Sequence, residues 1–133
     1  MTTPRILAFS GSGRKGSFNQ SVVEVAAEGV RQAGVEVTVV SLADYPLPLF
    51  DQDVEAQGTP ENATKLKELF VSHSGFLIAC PEYNSSITPL LKNTIDWVSR
   101  PAEGEAPMVA YRGKTAAILA ASPGALGGLR GLN

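Results

Sequence analysis

"FSGSGRKGSFNQ", residues 9–20, closes a short apolar run and opens a helical pattern. Gly11, Gly13 and Gly16 match G-x-G-x-x-G, the spacing of a dinucleotide-binding turn. The stretch is also rich in hydroxyls and carries Arg14 and Lys15 in its middle. A dinucleotide, ATP and a single phosphate therefore compete for it. An ATP loop needs lysine directly after the second glycine of G-x-x-x-x-G-K-[ST], and here Ser17 follows Gly16. A dinucleotide turn packs tightly against a pyrophosphate and wants an acid at the end of the second strand. Arg14 and Lys15 crowd such a turn, and "VVSLAD" (39–44) puts Ser41 at the strand end, with Asp44 further on in the loop. A pocket for one terminal phosphate monoester fits better. Ser10, Ser12, Ser17 and Asn19 offer hydroxyl and amide donors, and Arg14 offers a guanidinium fork. A helix starting at Phe18 aims its free N–H groups and positive dipole end at the same point. The plainer alternative is a hydroxyl-rich helix cap that binds nothing.

Working outward, "RILAFS" (5–10) reads as a buried strand. Phe18, Val22, Val25, Ala26, Gly29, Val30 and Ala33 recur at helical spacing. Ser17 and Gln20 form a capping box, and Gly34 is a natural stop. "VEVTVVSL" (35–42) is the second strand, and 43–60 is a proline-bearing surface loop without a clear period. Thr59 and Pro60 open a helix that runs to about His73. "GFLIAC" (75–80) is a third buried strand, ended by Pro81. Thr88 and Pro89 repeat the cap-and-proline signal, with Leu91, Ile95 and Val98 as the apolar stripe of the following helix. After a loop over 100–113, "KTAAILAAS" (114–122) is the fourth strand. Alternating strands and helices, with continuously apolar strands, predict a doubly wound parallel sheet covered on both faces. Ligands bind such sheets outside the carboxyl ends of the strands, which singles out 10–19, 81–88 and 122–130.

Composition narrows the chemistry. The 133 residues suit one domain, and 44% apolar with 18% charged residues is ordinary for a soluble globular chain. A net charge of −2 gives no electrostatic argument for nucleic acid or an anionic membrane. The single cysteine, Cys80, excludes an intramolecular disulfide, and Cys80 with the single His73 makes no zinc site. The N-terminal apolar run is short for a signal peptide, and no stretch is long enough to span a bilayer, so the expected compartment is the cytoplasm. Cys80 reads as a small buried hydrophobe, and His73 as a residue favouring a helix C-terminus. With acid–base and thiol groups so scarce, a bound cofactor is expected to carry the chemistry.

Three strings carry a resemblance: "GSGRKGSFN", "PEYNSSITPLLKNTIDWVSR" and "SPGALGGLR". In this order they resemble the NAD(P)H-dependent FMN reductases, a flavodoxin-like family that includes chromate-, quinone- and azo-reducing flavoproteins. The likeness covers essentially the whole chain, and PEYN…LKN…DW is its specific part. It implies a three-layer α/β/α fold. By position, Ser10, Ser12, Arg14, Ser17 and Asn19 would hold the FMN phosphate. Pro81, Glu82, Tyr83, Asn84 and Ser86 would line the isoalloxazine, with backbone N–H groups near its polar edge. Ser122, Gly124 and Gly127 would border the dimethylbenzene or ribityl side. The helix with Lys92, Asn93, Asp96 and Trp97 resembles the family's dimerisation helix, which implies a homodimer or homotetramer. Thr88-Pro89 stands where the family often has Pro-Gly, so a slightly different ring-side wall is expected.

The flavodoxin-like order is 2-1-3-4-5, and residues 1–133 supply four strands. The expectation is a single FMN-binding domain that lacks its fifth strand at the C-terminus, leaving the fourth as an apolar edge. The implied activity passes hydride from NADPH or NADH to FMN, then on to flavin, quinone, azo or metal-oxyanion acceptors, with no protein side chain as acid or base. Two other readings stay open: an FMN-holding electron carrier, and a Rossmann-type protein that keeps NAD.

Overall fold

The structure is a computed structural model and describes residues 3–133. Its elements are β1 (Arg5–Ser10), α1 (Phe18–Gln32), β2 (Glu36–Ser41), α2 (Gln52–Ala56), α3 (Glu61–Ser72), β3 (Gly75–Ala79), α4 (Pro89–Ser99) and β4 (Thr115–Leu119). Short 3₁₀ turns occupy Leu42–Asp44 and Leu129–Leu132. The strands form one parallel sheet in the order β2-β1-β3-β4. The sheet agrees with the flavodoxin-like reading.

Period-two alternation sorts β1 between two cores. Leu7 and Phe9 pack with Leu66, Phe70, Phe76, Leu91 and Val98 on the α3/α4 face. Ala8 packs with Val23, Ala27, Leu77 and Ala79 on the α1 face. Each fully buried leucine or phenylalanine contributes about 1.5–3 kcal/mol relative to exposure, so the two cores fix the register of β1 and β3. The fourth strand is different. Thr115–Ile118 are exposed, Ile118 at 54%, although the segment is as apolar as the others. Among the described residues it pairs only with β3, and α1 barely reaches it.

Local signals act mostly as read. Gly34 takes φ +79° after the end of α1, and its N–H donates to the Arg31 carbonyl at 2.9 Å. Thr88 caps α4, accepting from the Leu91 amide at 3.1 Å. The capping box at α1 does not form: the Ser17 side chain makes no cap bond, and the Gln20 amide instead donates to Glu24 at 3.1 Å. At α3 the cap position falls on Pro60, one residue after Thr59. The long loop contains a short helix, α2, whose cap Asp51 accepts from the Asp53 amide at 2.7 Å. His73 sits at the end of α3, buried, with Nδ1 2.6 Å from the Leu69 carbonyl and Nε2 2.9 Å from Thr38 Oγ1.

Candidate functional site

Three loops leave the carboxyl ends of β1, β3 and β4 and meet above the sheet. The first is built from serine turns. Ser10 Oγ accepts from the Ser12 amide at 3.1 Å, and Ser12 Oγ from the Arg14 amide at 3.3 Å. Short side chains that bond their own backbone hold such a loop without a regular ladder. Gly16 takes φ +67°, a region open to glycine at little steric cost. The chain then enters α1 with its first turn uncapped, which leaves the amides of Phe18, Asn19 and Gln20 without intrahelical partners. Ser17 is 5% exposed and lines the adjoining cleft.

The second loop is a tight hairpin. Tyr83 and Ser86 exchange backbone hydrogen bonds at 3.0 and 3.1 Å around Asn84 and Ser85, which have φ 52° and 65°. Two left-handed central residues make the type I′ geometry, natural for asparagine and costly for serine. Glu82 Oε1 accepts from the Ser85 amide at 2.9 Å. The amides of Tyr83, Ser85 and Ser86 are therefore engaged within the hairpin. Tyr83 itself is 52% exposed and lines the cleft.

The third loop, after β4, turns at Ser122, whose Oγ accepts from the Gly124 amide at 3.1 Å. Asn19 joins this loop to the first. Its Nδ2 donates to the Ala121 carbonyl at 3.0 Å, and its Oδ1 accepts from the Ala121 amide at 2.9 Å.

A cleft of about 240 Å³ lies where the loops converge. It brings together Ser12, Arg14, Ser17 and Asn19 from the first loop, Pro81, Glu82 and Tyr83 from the second, and Ser122 from the third. Ser10 is fully buried beneath it, and Asn84, Ser86, Gly124 and Gly127 lie outside its lining. Arg14 is exposed, with its guanidinium carbon 5.7 Å from the Phe18 ring centroid and Nη2 donating to the Gly16 carbonyl at 3.3 Å. It stands at the rim with most of its fork available. Phe18, read only as a helix residue, is 61% exposed and adds an apolar wall. Its exposure at a helix start was not legible from spacing. A second cleft of about 520 Å³ flanks the same loop toward Lys15, Ser41 and Asp44. A third, about 240 Å³, lies between α3 and the loop after α4, where Lys67 pairs with Glu105.

The helix assigned to dimerisation uses two of its four named residues internally. Asn93 accepts from the Phe50 amide at 2.8 Å and donates to the Pro48 carbonyl at 2.9 Å. Trp97 is 1% exposed and also donates to the Pro48 carbonyl, at 2.8 Å. Lys92 and Asp96 pair with each other at 2.6 Å on the outer side.

The family model described as NADPH-dependent FMN reductase matches residues 4–133. The chain belongs to this family. An NAD(P)H-dependent FMN reductase of Pseudomonas aeruginosa is 37% identical over 126 residues, covering 95% of this chain and 64% of the relative. A quinone reductase of Escherichia coli is 38% identical, with the same shares covered. Among solved structures, the flavoenzyme NAD(P)H:(acceptor) oxidoreductase FerB of Paracoccus denitrificans superposes with a TM-score of 0.79 at 29% identity, over 96% of this chain and 66% of that one. An azoreductase of Bacillus anthracis, at 17% identity and TM-score 0.65, shares the fold. The chain spans just under two thirds of the length of these curated relatives.

The residues present fit FMN. The uncapped turn of α1 and the hydroxyl of Ser17 are anion-seeking donors, and Arg14 adds a cation at the rim. Tyr83 and Phe18 supply exposed aromatic surface on the same cleft, as a flat ring requires.

Proposed function

We propose that this protein holds FMN across the three loops and works as an NAD(P)H-dependent oxidoreductase, passing electrons to flavin, quinone, azo or metal-oxyanion acceptors. One observation carries the reading: the uncapped first turn of α1 opens into the same cleft as Tyr83. In this assignment Ser12, Arg14, Ser17 and the α1 amides bind the phosphate. Ser10 and Asn19 brace the loop from beneath. Pro81, Glu82, Tyr83, Asn84 and Ser86 form the ring side, and Ser122, Gly124 and Gly127 the opposite border. FMN, when bound, supplies the hydride-accepting centre. The protein's part is to bind, orient and partly shield it. The relatives named quinone reductase support the acceptor class.

The proposal takes residues 1–133 as one FMN-binding domain, working in the cytoplasm as a homodimer or homotetramer. In the oligomer, the outer side of α4 at Lys92 and Asp96 forms the contact, beside the loop that Asn93 and Trp97 hold. Leu49 on that loop is 80% exposed, an apolar group suited to a subunit interface.

Titration with FMN, followed by quenching of flavin fluorescence, tests the site. Saturable binding at micromolar concentration or tighter is expected, together with NADPH or NADH oxidation faster than free FMN supports. Binding without that turnover makes the protein an electron carrier. Retention of NAD with no affinity for FMN overturns the reading.

A further inference from the structure

We propose that Thr88 is a positioning residue for the phosphate loop, an assignment that rests on the FMN reading above. Its side chain is 2% exposed, and its hydroxyl sits between two structural elements. Oγ1 accepts from the Leu91 amide at 3.1 Å, and the Thr88 carbonyl accepts from the Lys92 amide at 3.0 Å. Both oxygens are thereby fixed by the first turn of α4. A hydroxyl has one proton to give, and here it goes to the Gly11 carbonyl at 2.5 Å, 77 residues away.

That bond fixes more than one oxygen. Gly11 C=O and Ser12 N–H belong to one planar trans peptide and point in opposite directions. Thr88 holds the oxygen end, and Ser10 Oγ holds the N–H end at 3.1 Å. The preceding Gly11 amide donates to the Ala79 carbonyl at 2.8 Å. The entry to the phosphate loop is thus pinned to the start of the ring-side segment. Gly11 is seated so closely that an added Cβ would lie 2.6 Å from Cys80 Sγ and 3.2 Å from Leu91 Cβ. Thr88 sets where the loop's donors stand relative to Tyr83, without touching the ligand itself.

The experiment compares Thr88→Val and Thr88→Ser with the wild-type chain for binding of FMN and of riboflavin, which lacks the phosphate. Thr88→Val nearly keeps the volume and removes both the donor to the Gly11 carbonyl and the acceptor of the Leu91 amide. The expected result is FMN affinity about tenfold weaker in Thr88→Val, riboflavin affinity unchanged, and FMN affinity restored in Thr88→Ser. A residue that only stabilised the fold would move both ligands together. If the wild type binds no riboflavin, FMN affinity and its recovery in Thr88→Ser are the readout. A Thr88→Ser variant as weak as Thr88→Val overturns the proposal, as does a Thr88→Val variant with unchanged FMN affinity. Should Thr88→Val not fold, proton NMR of the wild type decides. A slowly exchanging Thr88 hydroxyl proton is expected, and its absence overturns the assignment. A wild-type chain that binds no FMN removes the cofactor reading, whereas wild-type binding with insensitive variants removes this inference alone.

Discussion

Asn19 and Ala121, 102 residues apart, exchange two hydrogen bonds: Nδ2 to carbonyl at 3.0 Å and amide to Oδ1 at 2.9 Å. The side chain stands in for a strand neighbour, closing the end of β4 against the first turn of α1. Asn19 is 3% exposed, so neither bond is readily replaced by water. Asn19→Ala leaves a donor and an acceptor unpaired and is expected to cost about 2–4 kcal/mol. Urea unfolding reads this as a lower midpoint with an unchanged slope.

Arg14 lies at the rim, where its side chain hydrogen-bonds the Gly16 carbonyl. Arg14→Ala is expected to leave folding intact and weaken FMN by about 1.5–3 kcal/mol, roughly ten- to a hundredfold. Isothermal titration measures it, and unchanged affinity would remove Arg14 from the phosphate site.

Gly11 has no room for a methyl group. Gly11→Ala forces Cys80 Sγ to move from a 2.6 Å contact, and overpacking of this kind costs about 1–3 kcal/mol. Adding Cys80→Ala is expected to recover part of the loss but not all, because Leu91 Cβ remains at 3.2 Å. A double-mutant cycle on thermal unfolding gives the coupling; purely additive effects would contradict the packing described.

Glu105 ties the loop after α4 to α3. The hydrogen bond from Lys67, and after it that from the Ala102 amide, hold its carboxyl below the ordinary carboxylate range. A carboxylate whose pKa is depressed by folding adds stability above its unfolded value. That stability drains away as pH falls through the folded one. Wild type is therefore expected to lose more stability than Glu105→Gln between neutral pH and acid below about pH 4. Thermal unfolding across that range reads the difference, and parallel curves would show the carboxylate to be irrelevant.

Tyr111 gives the opposite case. Burial, with the Asp96 charge as a lesser cause, pushes its phenol well above the usual tyrosine range. Above about pH 10 the unfolded chain releases this proton and the folded chain does not, so stability falls as pH rises. Tyr111→Phe is expected to flatten the alkaline limb, at the loss of the 3.1 Å hydrogen bond to the Ile95 carbonyl.

What the sequence made legible was local. The alternation of elements, the stop at Gly34 and the Thr88 cap each rest on residues within a turn of one another. What it hid depends on distant partners. Asn19 reads as a phosphate donor because nothing nearby announces Ala121. Asn93 and Trp97 read as an interface because the loop they hold lies 43 to 49 positions earlier. The short helix α2 is likewise stabilised from afar, through Glu55 and Arg100 at 2.6 Å. The exposure of β4 is invisible to periodicity, since an apolar run looks the same whether or not a layer covers it.

The three loops are laced together by the chain's own hydrogen bonds, through Thr88 to Gly11 and Asn19 to Ala121. Little ordering entropy remains to be lost on binding. Differences in affinity among variants should then appear chiefly in residence time. Free and ligand-bound crystals should superpose over these loops to within about 1 Å.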